Sequence, residues 1–355
     1  MNYWIKICVA WCCIFFLSGK IYAQDIHFSQ FYENSVLRNP ALTGIFSGDY
    51  RVVMNYRNQW SSIAVPFQTA FASVETRIGI NNDVGDYLSF GVAATYDRAG
   101  SISFNSLQVY PAINFNKAIE DRHQSYFSAG FTAGYVQRSV DPNKMRFASQ
   151  YTQGSYNPSN PSGENITQVS MDYLDIGAGI SFNSSLGEYN QVNYYLGAAA
   201  YHINRPKAAF SQNESFLRLK TRWSGNFGLQ WAMNSVFGLT THFNYTRQGV
   251  YQETIGGALL SWRNLDPVKQ VIFVLHGGLF YRWNDAFIPT LKMDYKNYSV
   301  TISYDMTTSA LRTVAQGTGG MEISVILRGE LTRGPWAQDN TRCPRFEHML
   351  LPAFE

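Results

Sequence analysis

The sequence predicts an all-β chain, an outer-membrane barrel of about 14 antiparallel transmembrane strands. Three observations predict it. Only 15% of the 355 residues are charged while 15% are aromatic, whereas about a quarter of an average soluble domain is charged. The mean hydropathy is −0.20, and after the first few dozen positions no apolar run reaches the about 18 residues of a membrane helix. From residue 50 onward, apolar residues alternate with small or polar ones, which sends one set of side chains to each face of a strand.

The first element in chain order is a signal peptide over residues 1–23. Lys6 precedes the apolar stretch Ile7 to Leu17, and the small residue Ala23 stands before Gln24; a cationic start, a short hydrophobic core and a small residue at the cut are its marks. A membrane anchor would need about 20 apolar residues, more than this run supplies. Cys8, Cys12 and Cys13 lack the preceding small residues that lipid attachment requires. Cleavage takes Lys6 and Lys20 and no acid, so the net charge falls from +3 to +1. A nearly neutral chain has no general attraction to nucleic acid. The remaining cysteine, Cys343, rules out a disulfide framework and is either a spare thiol or an intermolecular link.

Residues 24–49 hold turn signals at Asn39, Pro40 and Gly44 and too little hydrophobic mass to fold alone. They are expected to line or plug the lumen or to sit in the periplasm. Strands are then expected near 50–57, 67–78, 88–97, 102–115, 126–136, 174–182 and 191–201, and near 223–231, 236–245, 252–262, 271–281, 288–296, 298–305 and 321–328. Leu88, Phe90, Val92, Ala94 and Tyr96 alternate with Ser89, Gly91, Ala93 and Thr95, and Phe127 to Tyr135 with Ser128, Gly130, Thr132 and Gly134. An even strand count and aromatic rings at strand ends suit a bacterial barrel over residues 50–328. A soluble sandwich would need a polar outer face.

Bacterial barrels alternate short periplasmic turns with longer extracellular loops. Here the long connections are 137–173, 202–222 and 306–320, while 232–235 and the pair Lys296 and Asn297 suit tight turns. The connection at Arg98, Ala99 and Gly100 is short on the extracellular side. Both termini are therefore expected to face the periplasm. The tail, 329–355, shows no alternation and is either a periplasmic contact segment, through Arg342, Cys343, Pro344, Arg345 and Phe346, or disordered.

Chemistry is sparse. The sequence has no Walker A loop, no Rossmann glycine pattern and no Cys-x-x-Cys, and its six histidines lack ligand spacing. Asn81, Asn82, Asp83, Gly85 and Asp86 resemble part of a calcium loop without its closing glutamate, and a turn explains them better. No enzyme activity, metal or cofactor is expected, although His242, His276 and several serines could form a triad that only geometry would reveal. The notable clusters are Tyr56, Arg57, Asn58, Gln59 and Trp60, with Asn55 before them, and Tyr281, Arg282, Trp283, Asn284 and Asp285. Arg with Trp and Tyr is the composition of protein-binding hot spots. Interface aromatics and lumenal arginine pairs account for it equally well.

These clusters belong to a longer set of blocks: Asp25 to Gln30, Asn39 to Gly44, Asn55 to Trp60, Tyr281 to Ala286 with Pro289, Ser303 to Asp305 with Ser309 and Leu311, Gly319 to Glu322, and Cys343 to Phe346. In this order they resemble the PorP/SprF family of the Bacteroidetes type IX secretion system. The resemblance covers both ends of the chain; 137–222 matches only as strands with long loops. It implies an outer-membrane barrel without catalytic role. It also implies two sorts of partner besides outer-membrane lipids. Some members contact periplasmic ring and peptidoglycan-binding proteins. Others serve the export and surface anchoring of a secreted adhesin through its C-terminal sorting domain, in some cases for gliding motility. The second reading is preferred here, with a pore for small hydrophobic solutes, like a fatty-acid transporter, as the runner-up.

Overall fold

The computed structural model describes residues 25–59, 65–81, 85–120, 123–152, 154–163, 168–208, 210, 218–266, 271–309 and 318–331. The expected signal peptide, Trp60, and Arg342, Cys343, Pro344, Arg345 and Phe346 lie outside these residues.

Among the described residues sixteen strands follow one another: β1 (Tyr50–Gln59), β2 (Phe67–Asn81), β3 (Asp86–Ala99), β4 (Phe104–Glu120), β5 (Ser125–Ser139), β6 (Tyr151–Thr152), β7 (Ser155–Tyr156), β8 (Ser170–Leu186), β9 (Val192–Tyr201), β10 (Arg222–Ala232), β11 (Phe237–Gln248), β12 (Tyr251–Leu265), β13 (Val271–Arg282), β14 (Ala286–Tyr295), β15 (Tyr298–Thr307) and β16 (Thr318–Gly329). All but β6 and β7 join in sequence order into one closed barrel of 14 strands, every pair antiparallel. β1 closes on β16 from Tyr50 opposite Gly329 to Gln59 opposite Gly320. The small β6–β7 hairpin stands apart, within the long connection between β5 and β8.

Alternation locates every strand of the wall but undercounts several. β4 runs to Glu120 and β8 from Ser170 to Leu186, beyond the expected 115 and 174–182. The apolar signal marks only the part of a strand that touches lipid, while the backbone ladder continues through polar residues such as Asn116, Lys117 and Ser184.

The outer face carries the exposed apolar set: Val74, Leu196, Leu260, Leu279 and Leu291 in mid-strand. Exposed rings border it at both ends, with Tyr96, Tyr135, Trp223, Phe287 and Tyr304 toward one rim and Trp231, Phe237, Trp262, Tyr295 and Tyr298 toward the other. A lipid-facing band between two aromatic girdles is the surface of an outer-membrane barrel. The inner face is polar and buried, with Ser89, Asn114, Asn116, Ser128, Ser261 and Thr301 among its residues.

Residues 25–49 account for that burial. They thread the lumen as a 3-10 turn at Phe31–Glu33, one short helix α1 (Ser35–Arg38) and a second 3-10 turn at Pro40–Leu42. Three apolar patches seat them, the smallest being Leu42 and Ile45 on Tyr195. Phe28 and Val36 pack with Val53, Phe71, Tyr110 and Ile326; Phe31 and Tyr32 pack with Ile255, Leu259, Phe280 and Ile288. The hydrophobic mass that this segment lacks is thus supplied by the wall.

Asp25 lies against His202 and Arg222, at the rim of the long connections. The Asp49 amide bonds to the Gly329 carbonyl, at the rim of the short turns where Leu331 also sits. The two ends of the described chain therefore lie at opposite rims. An even strand count places the start of β1 and the end of β16 together, but it says nothing of a segment that crosses the lumen before β1 begins.

Candidate functional site

The densest polar constellation lies in the lumen toward the long-connection rim, between the start of the N-terminal segment and strands β1, β13, β15 and β16. Period-two alternation turns Arg57, Arg282, Asp305 and Glu322 inward. Asp305 takes Arg57 at 2.9 Å and Arg282 at 3.1 Å, so one carboxylate joins two strands far apart in sequence. Arg282 also reaches Asp285 at 2.8 Å and Glu253 at 3.7 Å. Glu322 accepts from the Asn55 amide at 2.7 Å.

These groups grip the segment. The Ser29 and Gln30 amides donate to the two Glu322 carboxylate oxygens at 2.7 and 3.0 Å. The Ser29 hydroxyl donates to Asp305 and accepts from Arg282 at 2.8 Å, while Arg57 donates to the His27 carbonyl. Nearby, Asp25 sits 2.7 Å from His202 Nε2 and 3.2 Å from Arg222, and His202 Nδ1 lies 2.9 Å from Asp175. Burial by itself lowers the His202 pKa, but the Asp25 charge and hydrogen bonds to Asp175 and Asp25 outweigh it and hold the pKa at about 9. Burial likewise raises Asp25, and the His202 and Arg222 charges outweigh that and keep it well below the usual carboxylate range.

Further along the lumen, Lys292 pairs with Glu33 at 2.9 Å. Glu75 binds Arg51 at 2.7 Å, the Ser35 hydroxyl at 2.7 Å and the Gly44 amide at 2.9 Å. Tyr32 stacks between His242, with ring centroids 4.7 Å apart, and Phe280 at 5.0 Å. Asn39 inserts its side chain between β8 and β9, where Nδ2 donates to the Ile180 and Ala198 carbonyls at 3.1 and 3.4 Å.

The two sequence clusters divide between the faces of the wall. Arg57 and Arg282, at 1% and 3% exposure, come together on Asp305 inside the barrel. Tyr56 is exposed outside, and Asn58 and Gln59 are half-buried at the end of β1. Tyr281 packs with Phe287 and Trp283 at 4.7 and 5.2 Å. Trp283 and Asn284 project from the β13–β14 turn, Asn284 in the left-handed region at φ 59°, and Asp285 receives Arg282 from below.

The reading of the residues assigned no role to Asp25, Ser29, Glu33, Glu75, His202, Arg222, Lys292, Asp305 or Glu322. The available signal was the presence of acids and bases on the polar face of strands that are otherwise poor in charge. Geometry places one Ser–His–Asp line inside the wall. Ser261 Oγ lies 2.7 Å from His276 Nδ1, and His276 Nε2 lies 3.0 Å from Asp294. Ser261 and Asp294 are fully buried, and the line ties β12, β13 and β14 together. Among the described residues, no group of His, Cys, Asp and Glu could hold a metal ion.

Girdled wall, polar lumen and gripped segment together define an outer-membrane β-barrel occupied by its own N-terminal segment. The family model of the type IX secretion system membrane protein PorP/SprF matches residues 20–327. The chain belongs to that family, which is a family of secretion-system membrane components and not of enzymes.

Among solved structures, the barrel is similar to a Pseudomonas aeruginosa FadL homologue, at 10% identity and a TM-score of 0.49, covering 81% of this chain and 91% of that one. It is similar also to the CymD monoaromatic hydrocarbon channel, at 12% and 0.47, covering 89% and 96%. For CdiB from Acinetobacter baumannii the values are 8% and 0.43, and the match covers 79% of this chain but 60% of CdiB. No curated protein matches the sequence.

Proposed function

We propose that this protein is a non-enzymatic component of type IX secretion that binds the C-terminal sorting domain of a secreted protein or adhesin at the long-connection rim. It thereby supports the export of that client and its anchoring at the cell surface, with gliding motility as one use. The rim faces the exterior, and the tail with Arg342, Cys343, Pro344, Arg345 and Phe346 faces the periplasm. The signal peptide exports the chain.

The observation that carries this reading is the occupied lumen. A closed wall offers no strand edge to a partner, and residues 25–49 fill the interior, so a client is left with loops and rim. Long connections rich in Asn, Ser and Tyr supply adaptable hydrogen bonds around rigid rings. Tyr56, Tyr281, Trp283 and Asn284 are the contact residues at this rim, with Asn58 and Gln59 beside them and Trp60 added from the sequence. Arg57, Arg282 and Asp285 brace it from within. The filled lumen also weighs against a pore for hydrophobic solutes.

The test is a gentle detergent pull-down of the native protein from outer membranes, with mass spectrometry of what stays attached. A large secreted protein bearing a sorting domain supports the reading. Recovery of periplasmic ring or peptidoglycan-binding proteins alone replaces it with a core secretion role, and an unaccompanied barrel returns the pore to first place.

A further inference from the structure

We infer that the barrel contains a latent aqueous pore for small anions, which residues 25–49 close. The inference is independent of which client binds outside.

The interface between segment and wall is largely polar. Glu75, Asn114, Thr301, Ser303, Asp305 and Glu322 are buried and bond to the segment. Several buried wall atoms have no hydrogen-bond partner beside it: Thr301 Oγ1, Ser324 Oγ, Arg222 Nε, and Nε and one terminal nitrogen of Arg328. Buried polar atoms without partners cost free energy that water would recover. A wall of this kind hydrates readily once the segment leaves, whereas a greasy one would collapse. The backbone ladder of the wall borrows no strand from the segment, so it survives that departure.

The seat is shaped for a removable body. At Gly130 an added Cβ would lie 2.4 Å from the Ala41 nitrogen and the Pro40 carbonyl carbon, and at Gly179 one would lie 2.0 Å from Asn39 Oδ1. These wall glycines make room for the Asn39–Ala41 turn, and Gly179 also for the Ala198 carbonyl of the neighbouring strand, 3.2 Å from an added Cβ. Strand interiors otherwise disfavour glycine.

Charge sets the selectivity. Departure withdraws the carboxylates of Asp25 and Glu33, which sit on Arg222 with His202 and on Lys292, against one guanidinium, Arg38. The wall acids Glu75, Asp175, Asp294 and Asp305 keep partners of their own in Arg51, His202, His276 and Arg57, and Glu322, which loses the Ser29 and Gln30 amides, keeps Asn55 and Arg57. The emptied lumen is more positive than the filled one, and cationic pore linings favour anions.

Planar-bilayer recording on the purified full chain, in a KCl gradient, tests this. Two independent variants loosen the segment and leave the wall charges in place: Asp25→Asn with Glu33→Gln, and Gly130→Val. Heat-modified gel mobility reports whether each barrel is folded, and wild-type protein in stepwise urea gives the same readout with no substitution. The expected result is a nearly silent wild type, an increase in conductance of about tenfold or more on loosening, and a reversal potential that reports chloride preference. Arg222→Gln in the Gly130→Val background should weaken that preference. The inference is overturned if loosened, folded protein stays as silent as wild type, if its currents favour potassium, or if untreated wild type already conducts at the loosened level.

Discussion

Each strand of the wall is bonded to two neighbours through its backbone, whereas residues 25–48, up to the backbone bonds of Asp49 with Gly329 and Arg77, are held to that wall by side chains on one partner or the other. A backbone ladder tolerates exchange of side chains, because every residue contributes the same donor and acceptor. A side-chain grip does not, because Asp305, Glu322 and Glu75 each serve several partners at once. One chain therefore combines a robust container with a seat that depends on a handful of buried charges.

The largest effect on this contrast should come from Asp305→Ala. It leaves Arg57 and Arg282 buried without their shared carboxylate, and removal of one partner from a buried pair costs about 3–5 kcal/mol. Hydrogen exchange should show protection falling across residues 25–36 while mid-strand wall amides keep theirs. Equal loss in both regions would mean that segment and wall are one cooperative unit.

Next in size is Leu291→Arg, which attacks the wall from the lipid side. Leu291 is exposed near the middle of β14, where an arginine facing lipid costs about 2–4 kcal/mol. Denaturant titration in lipid vesicles should register this as a global loss, with the segment and wall unfolding together. Loss confined to the segment would contradict the assignment of the outer face.

The pH dependence sharpens the comparison at one end of the segment. The His202 pKa is raised from the ordinary value near 6.5 to about 9, so its contribution is complete below about pH 6.5 and is lost as pH rises through about 9. Asp25 is depressed; its contribution is present above about pH 4 and lost as pH falls through the lower folded value. Protease access to the Asp25–Ser29 stretch should be lowest between those limits and rise on the alkaline side. His202→Gln should abolish the alkaline limb, and persistence of that limb would assign the change to another group.

The smallest effect should be that of Asn39→Ala. It removes two bonds to strand carbonyls and the cap on the Ala41 amide, worth about 1–2 kcal/mol together. The expected change is local exchange around Pro40–Leu42 with global stability unaltered.

Legibility in the sequence follows the range of the interactions. β3 and β5 were plain because lipid on one side and a packed lumen on the other repeat every second residue. The polar ends of β4 and β8 were not, since beyond the lipid band nothing requires an apolar side chain. Ser128, Gly130 and Thr132 read as a small or polar face without a cause, and for Gly130 the cause is the Asn39–Ala41 turn seated against it, while Ser128 and Thr132 bond to Asn116 and the Pro111 carbonyl of the neighbouring strand. Arg57 and Arg282 stood out as types, but their company of tyrosines and tryptophans suggested one surface where the pleat makes two.

By itself the sequence determined the barrel, its strand count, its girdled outer face and, through its blocks of shared residues, its family. Those properties are local or periodic, and a single strand's worth of residues expresses them. Only the tertiary structure decided what fills the lumen, which rim holds Asp25, and which charges meet. Ser29 and Glu322 are 293 residues apart, and a contact over that distance leaves no period in either strand. An inward acid that binds the segment looks, in the sequence, like any other polar residue on an inner face.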